Sequence, residues 1–171
     1  MDDNWRYSAT AITKYDPAYR DYYDVYTKNE WISFYDIGKT FDGVLFTEEE
    51  YLETERKYIQ ATKLFFEFHQ CEYFELANLE TQTFTGMASS ITDDRLIKKL
   101  DQSEGNRIFE LALLPTVVQS ILREFIWGEL FCRADKNIAV RFGYDYHMYF
   151  NSSKDMDPLL KQISSLGLYV S

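Results

Sequence analysis

Cysteine, histidine, proline and glycine are all scarce in this chain of 171 residues, and the shortages exclude several classes of protein. Two cysteines and two histidines make neither a disulfide framework nor the repeated Cys/His pairs of a zinc site. Seven scattered glycines supply no phosphate-binding loop. No apolar run approaches the roughly 20 residues that span a bilayer, and the first residues lack the pattern of a signal peptide. We therefore expect a cytoplasmic protein without cofactor or metal, in which Cys71 and Cys132 remain reduced and unlinked.

Basic residues are also few, with 18 Lys and Arg against 28 Asp and Glu and a formal net charge of −10. Such a charge disfavours nonspecific binding to nucleic acid or to anionic membranes, so we expect neither as a partner. Hydrophobic residues make up 46% of the chain, which is enough to build a folded core. At this length, we expect one domain spanning residues 1–171.

Acidic and aromatic side chains are abundant, and both concentrate in residues 1–55. This segment carries thirteen acidic residues against five basic ones, whereas the other 116 residues carry fifteen against thirteen. Its large aromatics include Trp5, Tyr7, Tyr15, Tyr19, Tyr22, Tyr23, Tyr26, Trp31, Phe34 and Tyr35. Rigid aromatics supply hot-spot contact area, while carboxylates steer a basic partner. The segment therefore predicts a protein-binding face.

The clearest local pattern predicts a helix from about Glu48 to Phe68. Thr47 and Glu50 form a capping box, and apolar residues then recur at helical spacing. Further patterns predict strands at 5–9, 73–77, 127–133 and 138–150, and helices at 92–100, after Pro115 and from Asp157. This order predicts an α+β fold, with a mainly antiparallel sheet of about four strands and helices packed on one face.

Two groups of residues resemble catalytic or metal sites, and neither is convincing. His69 and Cys71 lie close in sequence, but a metal site would need Cys132 and His147, which belong to no paired motif. A Cys–His–Asp arrangement of Cys132, His147 and Asp145 is opposed by strand alternation, which puts Cys132 on the apolar side and His147 on the polar side. We therefore predict no catalytic residues, no metal and no enzyme.

The segment from Asp16 to Asn29 has no clear period, which predicts a long ordered loop, and the stretch from Tyr15 to Tyr26 holds five tyrosines among its carboxylates. Its tyrosines either cover the sheet or form an interface, and the sequence leaves both interpretations open. If they form an interface, the expected contact residues are Asp16, Asp21, Tyr22, Tyr23, Asp24 and Tyr26, with Trp31 as an anchor.

Several short stretches resemble proteins of a known functional class. They are Ile12–Pro17, Tyr26–Trp31, Asp36–Lys39, Phe41–Gly43 and Phe142–Tyr149. These stretches resemble small bacterial proteins of the immunity class, which are encoded beside secreted polymorphic toxins and neutralise them in the producer's cytoplasm. The resemblance implies a stoichiometric inhibitor whose partner is a basic protein, a cognate toxin domain. It assigns no role to individual residues.

The alternative is a small acidic enzyme or ligand-binding sensor. Its site would lie on the polar face of the C-terminal hairpin, at Arg141, Asp145, His147 and Tyr149. A deep pocket lined by these four residues would favour the alternative, whereas a convex acidic ridge would favour the inhibitor.

Overall fold

The computed structural model describes residues 9–81, 107–143 and 145–170, which form three α-helices, a seven-stranded sheet and a small hairpin. The sheet strands are β1 (Thr10–Thr13), β4 (Tyr73–Thr81), β5 (Ile108–Glu110), β6 (Ile126–Cys132), β7 (Ala139–Phe142), β8 (His147–Asn151) and β9 (Tyr169–Val170). The hairpin pairs β2 (Thr40–Phe41) with β3 (Val44–Leu45). The helices are α1 (Glu48–Phe68), α2 (Leu114–Leu122) and α3 (Asp157–Ser165).

The strand order in the sheet is β5-β4-β6-β7-β8-β1-β9, and every described pair is antiparallel. The α+β class and the mainly antiparallel sheet are therefore confirmed, but the expected number of about four strands is wrong. Strands β1, β5 and β9 have four, three and two residues, too few to show an alternating pattern. The predicted arm 138–150 is two strands. Residues 5–8 of the strand predicted at 5–9, and the whole helix predicted at 92–100, lie outside the described residues.

Helix α1 begins and ends where the sequence predicts. The Thr47 hydroxyl accepts from the Glu50 amide at 3.3 Å, and the Glu50 carboxylate accepts from the Thr47 amide at 3.0 Å, which confirms the capping box. Its buried side faces the sheet, where the ring centroids of Phe65 and Phe150 lie 4.3 Å apart. Helices α2 and α3 both pack against α1. The core therefore lies between α1 and one face of the sheet.

A turn between β7 and β8 preserves the predicted alternation of the C-terminal arm. Asp145 and Tyr146 adopt φ angles of 57° and 59°, so the chain reverses there instead of continuing as one strand. The residues that share the inward direction on the two strands are buried: Val140, Phe142, Met148 and Phe150. The other face carries the polar residues, as the alternation predicts.

The expectation that Cys71 and Cys132 are unlinked is contradicted, because the structure joins them in a disulfide with a Cα–Cα distance of 5.9 Å. Cys132 is inward-facing as predicted, and it pairs with Phe74 across the β4–β6 ladder. The turn from α1 into β4 carries Cys71 over this position. Spacing along the sequence gives no sign of this contact, since the two cysteines lie 61 residues apart.

A buried ion pair connects α1 to the end of α2. The Arg123 guanidinium donates to both carboxylate oxygens of Glu55, at 2.6 and 2.8 Å. The amide of Gln119 donates to the same carboxylate at 3.0 Å. Both charged side chains are almost completely buried. This pair fixes the position of the C-terminal end of α2, where the chain turns towards β6.

Candidate functional site

A compact loop of residues 20–26, called the tip loop below, projects from the segment that follows β1. Arg20 and Tyr26 form an isolated antiparallel bridge at its base. The Asp21 carboxylate accepts from the amides of Tyr23 and Val25, both at 2.9 Å, and the Asp21 amide donates to the Val25 carbonyl at 2.9 Å. The loop is therefore held by its own hydrogen bonds, and the predicted ordered loop is confirmed here.

Two tyrosines at the end of the tip loop are almost fully exposed. Tyr22 is 95% exposed and Tyr23 is 80% exposed, and their rings meet edge to face at 5.3 Å. Val25 and Tyr19 are also exposed nearby. An exposed aromatic group of this kind is typical of an interaction surface.

The carboxylates of this segment have structural partners. Asp16 caps a short helical turn by accepting from the Ala18 amide at 2.9 Å, and Asp24 pairs with Arg20 at 3.0 Å. Asp21 holds the tip loop together, as described above. Reversing its charge would therefore disturb the loop as well as the surface charge. Of the predicted contact residues, Tyr22 and Tyr23 present exposed aromatic side chains at the tip, and the side chain of Asp24 is 79% exposed although it pairs with Arg20.

Tyr26 supports the tip loop from below. Its side chain is half-buried, its hydroxyl donates to Glu30, and its ring meets the edge of Tyr15 at 4.9 Å. Burial raises the pKa of the Tyr26 hydroxyl above its usual range, and the hydrogen bond to Glu30 acts in the same direction. Tyr26 is therefore better placed to position the loop than to contact a partner.

Trp31 lies in the core, and its burial does not fit the surface anchor expected from the sequence. Only 9% of the residue is exposed. Its ring stacks on Phe46 at 4.4 Å and meets the edge of Tyr146 at 4.8 Å. A long run of Tyr and Trp cannot reveal which rings face inward, because both positions favour aromatic side chains.

Beneath the tip loop, the amine of Lys14 is buried between aromatic rings. It lies 3.2 Å from the Glu30 carboxylate, 4.0 Å from the ring centroid of Tyr15 and 4.2 Å from that of Trp31. Burial lowers the pKa of Lys14 from 10.5 to about 8, and the Glu30 charge opposes part of that shift. The charged amine therefore joins the base of the loop to the core at a desolvation cost.

This pKa predicts a rise in stability in mildly alkaline solution. Between pH 8 and pH 10 the folded amine loses its proton while the unfolded one keeps it, so the free energy of unfolding rises with pH. One proton can change the free energy of unfolding by at most about 1.4 kcal/mol per pH unit, so we expect a total increase of about 1–2 kcal/mol over this range. Above about pH 10 the trend reverses. The raised pKa of Tyr15 means that the folded hydroxyl keeps its proton while the unfolded one loses it, so the free energy of unfolding falls with pH. Urea unfolding across this range measures the effect, and a profile equally steep in Lys14→Met would contradict the assignment.

A cleft of about 270 Å³ lies between the segment after the tip loop, the end of α2 and the β7–β8 turn. Its residues with polar side chains include Ser33, Glu124, Asp145 and His147, and its aromatic residues include Trp127, Phe142 and Tyr146. Tyr15 stacks on His147 at 5.4 Å and also touches Tyr26. The cleft is therefore connected to the base of the tip loop through one aromatic side chain.

Hydrogen bonds between described residues hold the walls of the cleft together. The Ser33 hydroxyl donates to Glu124 at 2.6 Å, which joins the N-terminal segment to the turn that follows α2. The Tyr146 hydroxyl donates to the Leu122 carbonyl at 3.0 Å, and the Tyr58 hydroxyl donates to the Tyr146 carbonyl at 2.5 Å. These bonds connect α1, α2 and the β7–β8 turn, so the cleft is formed in advance of any ligand.

The four residues of the alternative site occupy two places. Asp145 and His147 line the cleft. Arg141 instead bonds to Glu129 at 3.0 Å and to Asn151 at 2.6 Å on the polar sheet face, where Tyr149 is its cross-strand neighbour. Asp145 lies in the β7–β8 turn and His147 begins β8, whereas Arg141 and Tyr149 pair farther along the two strands.

Glu124, Ser33 and Trp127 belong to the site but were not predicted from the sequence. Ser33 lies in the N-terminal part of the chain, whereas Glu124 and Trp127 lie three residues apart, just after α2 and at the start of β6, and only the fold brings the two regions together. After α2, Glu124 adopts a φ of 60°, a conformation that usually favours glycine. A glutamate at such a position cannot be recognised from sequence alone.

The chain matches no protein-family model, no curated protein and no solved structure. Among the described helices, none is both long and apolar enough to cross a bilayer. Within residues 9–81, 107–143 and 145–170, no three His, Cys, Asp or Glu side chains converge as a metal-binding group.

Proposed function

We propose that this chain is a stoichiometric binding protein that docks a basic protein partner through the tip loop, and that it serves as an immunity protein against a cognate toxin. The observation that carries the proposal is the exposed Tyr22–Tyr23 pair on a loop fixed by hydrogen bonds. Tyrosine is among the residues most enriched in binding hot spots. The toxin as partner rests on the resemblance of the short sequence stretches.

The order of the tip loop supports a binding role. A loop that is already in its bound conformation loses little conformational entropy when a partner docks, so more of the contact energy appears as affinity. Asp21 supplies that order through its bonds to Tyr23 and Val25. A loop with no role in binding would have no need to hold two tyrosines away from the core.

The net charge of −10 supports a basic partner. Because the carboxylates of the tip loop are engaged within the loop, attraction comes from the whole acidic surface more than from the loop itself. Long-range attraction of this kind raises the association rate and weakens as salt is added. Cytoplasmic action in the producing cell belongs to the same proposal.

Ligand binding or catalysis at the cleft is the second candidate function. It is favoured by the preformed cavity beside Asp145 and His147. It is weakened by the position of Arg141 and Tyr149, which lie on the sheet face outside that cavity. The four-residue site expected for this alternative is therefore not assembled as a single pocket.

The tip loop can be tested with single truncations. Tyr22→Ala and Tyr23→Ala should each speed dissociation of the partner by about 30-fold, since a desolvated aromatic anchor is typically worth about 2 kcal/mol. The candidate partner to test is the product of the adjacent gene, and surface plasmon resonance at two salt concentrations gives both rate constants. Added salt should slow association of the wild type.

The matched control is Tyr73→Ala, because Tyr73 is an exposed tyrosine at the far side of the sheet. It should bind with wild-type kinetics. If Tyr22→Ala and Tyr23→Ala also retain wild-type kinetics, the tip loop is not the interface and the proposal fails.

A further inference from the structure

The cleft beside the tip loop combines negative charge with aromatic walls. Glu124 and Asp145 both belong to it, and no lysine or arginine among the described residues lines it. Burial is the main cause of the raised pKa of Tyr146; the charges of Glu124 and Glu55 act in the same direction, and that of Arg123 opposes them. The cavity therefore offers a negative potential in a partly desolvated setting, where charges interact more strongly than in water.

We propose that this cleft receives an arginine side chain of the protein partner, an inference that rests on the proposed function. A guanidinium group is planar and weakly hydrated, stacks on aromatic faces and donates to carboxylates. The cleft presents the matching surfaces, with Trp127, Phe142 and Tyr146 as aromatic residues and Glu124 and Asp145 as acceptors. A neutral side chain in the cleft would leave both carboxylates without a charged partner.

The size of the cleft suits a single long side chain. At about 270 Å³ it lies just below the range of about 300–1,000 Å³ that is usual for small-molecule sites. One side of the cleft is formed by Ile32 and Ser33, which follow the tip loop in sequence. Tyr15 bridges Tyr26 of the loop to His147 of the cleft. A partner seated on the exposed tyrosines can therefore place a neighbouring arginine here.

The cleft is fixed before binding, which favours the recognition of one charged group. The Glu124 carboxylate is oriented by the Ser33 hydroxyl at 2.6 Å through Oε1, so Oε2 remains to accept from a guanidinium. Asp145, which also lines the cleft, is exposed on the β7–β8 turn. The bond from Tyr146 to Leu122 connects that turn to the end of α2.

The test uses a blocked amino acid as the probe. N-acetyl-arginine amide carries the side chain of an internal arginine, and N-acetyl-citrulline amide is its uncharged isostere. Binding is followed by chemical shifts of the Trp127 indole N–H and of the amides of Gly143 and Asp145. The arginine probe should bind at least about tenfold more tightly than the citrulline probe, because hydrogen bonds to charged groups are the stronger ones.

Glu124→Gln and Asp145→Asn should each weaken the arginine probe by about tenfold while leaving the urea midpoint unchanged. Glutamine retains an acceptor for Ser33, and asparagine tolerates the φ of 57° at residue 145. Asp42→Asn is the matched control. Asp42 is also an exposed aspartate with a positive φ, of 48°, but it lies outside the cleft, so this variant should bind like the wild type.

Equal binding of the citrulline probe, or no detectable binding of the arginine probe, would overturn the inference. So would binding of free agmatine without binding of the blocked arginine, since that would indicate a site for small amines only. The proposed function is judged separately: if partner binding depends on Tyr22 and Tyr23 while the cleft ignores arginine, the function stands and this inference falls. If the cleft selects arginine but the tyrosines do not matter, the docking proposal is the one that fails.

Discussion

Replacing Glu55 by glutamine is expected to destabilise the fold by about 3–5 kcal/mol, because it leaves the Arg123 guanidinium buried without a compensating charge. Both side chains of the pair are almost completely buried where the end of α2 packs on α1, so water cannot replace the lost partner. Urea unfolding followed by circular dichroism measures the effect. Glutamine keeps the size of the side chain, which makes charge the main variable.

A double replacement separates the charge from the packing. Glu55→Leu combined with Arg123→Met should recover much of the loss, since apolar residues of similar volume often replace a buried ion pair at little cost. Glu53→Gln is the matched control, because Glu53 pairs with Lys57 on the exposed side of the same helix. It should barely change the unfolding midpoint. A similarly small effect for Glu55→Gln would show that the buried pair does not hold α2 in place.

Loss of the disulfide is expected to be the other large effect. Replacing Cys71 and Cys132 together by serine should lower the free energy of unfolding by about 2–4 kcal/mol. The bond closes a loop of 61 residues, and in the chain-entropy account a loop of that length contributes about 4 kcal/mol. Thermal unfolding of the two proteins under non-reducing conditions gives the comparison.

Reductant supplies the control for this prediction. Wild-type protein treated with dithiothreitol should unfold like the serine variant, and the variant itself should not respond. Free thiols detected by mass spectrometry of the untreated, unfolded protein would contradict the bond. The outcome also bears on the compartment, since a reducing cytoplasm keeps most thiols free and would remove this contribution.

Sequence reasoning located α1 because two independent signals agree there. The capping box at Thr47 and Glu50 marks its start, and the apolar spacing continues to Phe66. The short strands gave no such agreement. Strand β1 has only four residues, and its position depends on β8 and β9, which come from the opposite end of the sequence. Pairing partners of this kind cannot be inferred from local patterns.

The buried pair and the cleft show a second limit of sequence reasoning. Glu55 occupies the buried stripe between Tyr51 and Tyr58, so its position on the helix could have indicated a buried charge. The identity of its partner could not be found, because Arg123 approaches only through the packing of α2 on α1. The cleft depends on the same packing and on the β7–β8 turn, and is therefore a product of tertiary structure.

The place of β1 in the sheet determines the order in which the protein can be completed during synthesis. Ile12 pairs with Met148 on one side and with Val170 on the other. The first described strand therefore cannot take its place until nearly all of the described chain has left the ribosome. Contacts of such long range also form slowly. Because the tip loop follows β1 within a few residues, we expect its tyrosines to reach their final position late, and partner recognition to begin only after translation has passed β9.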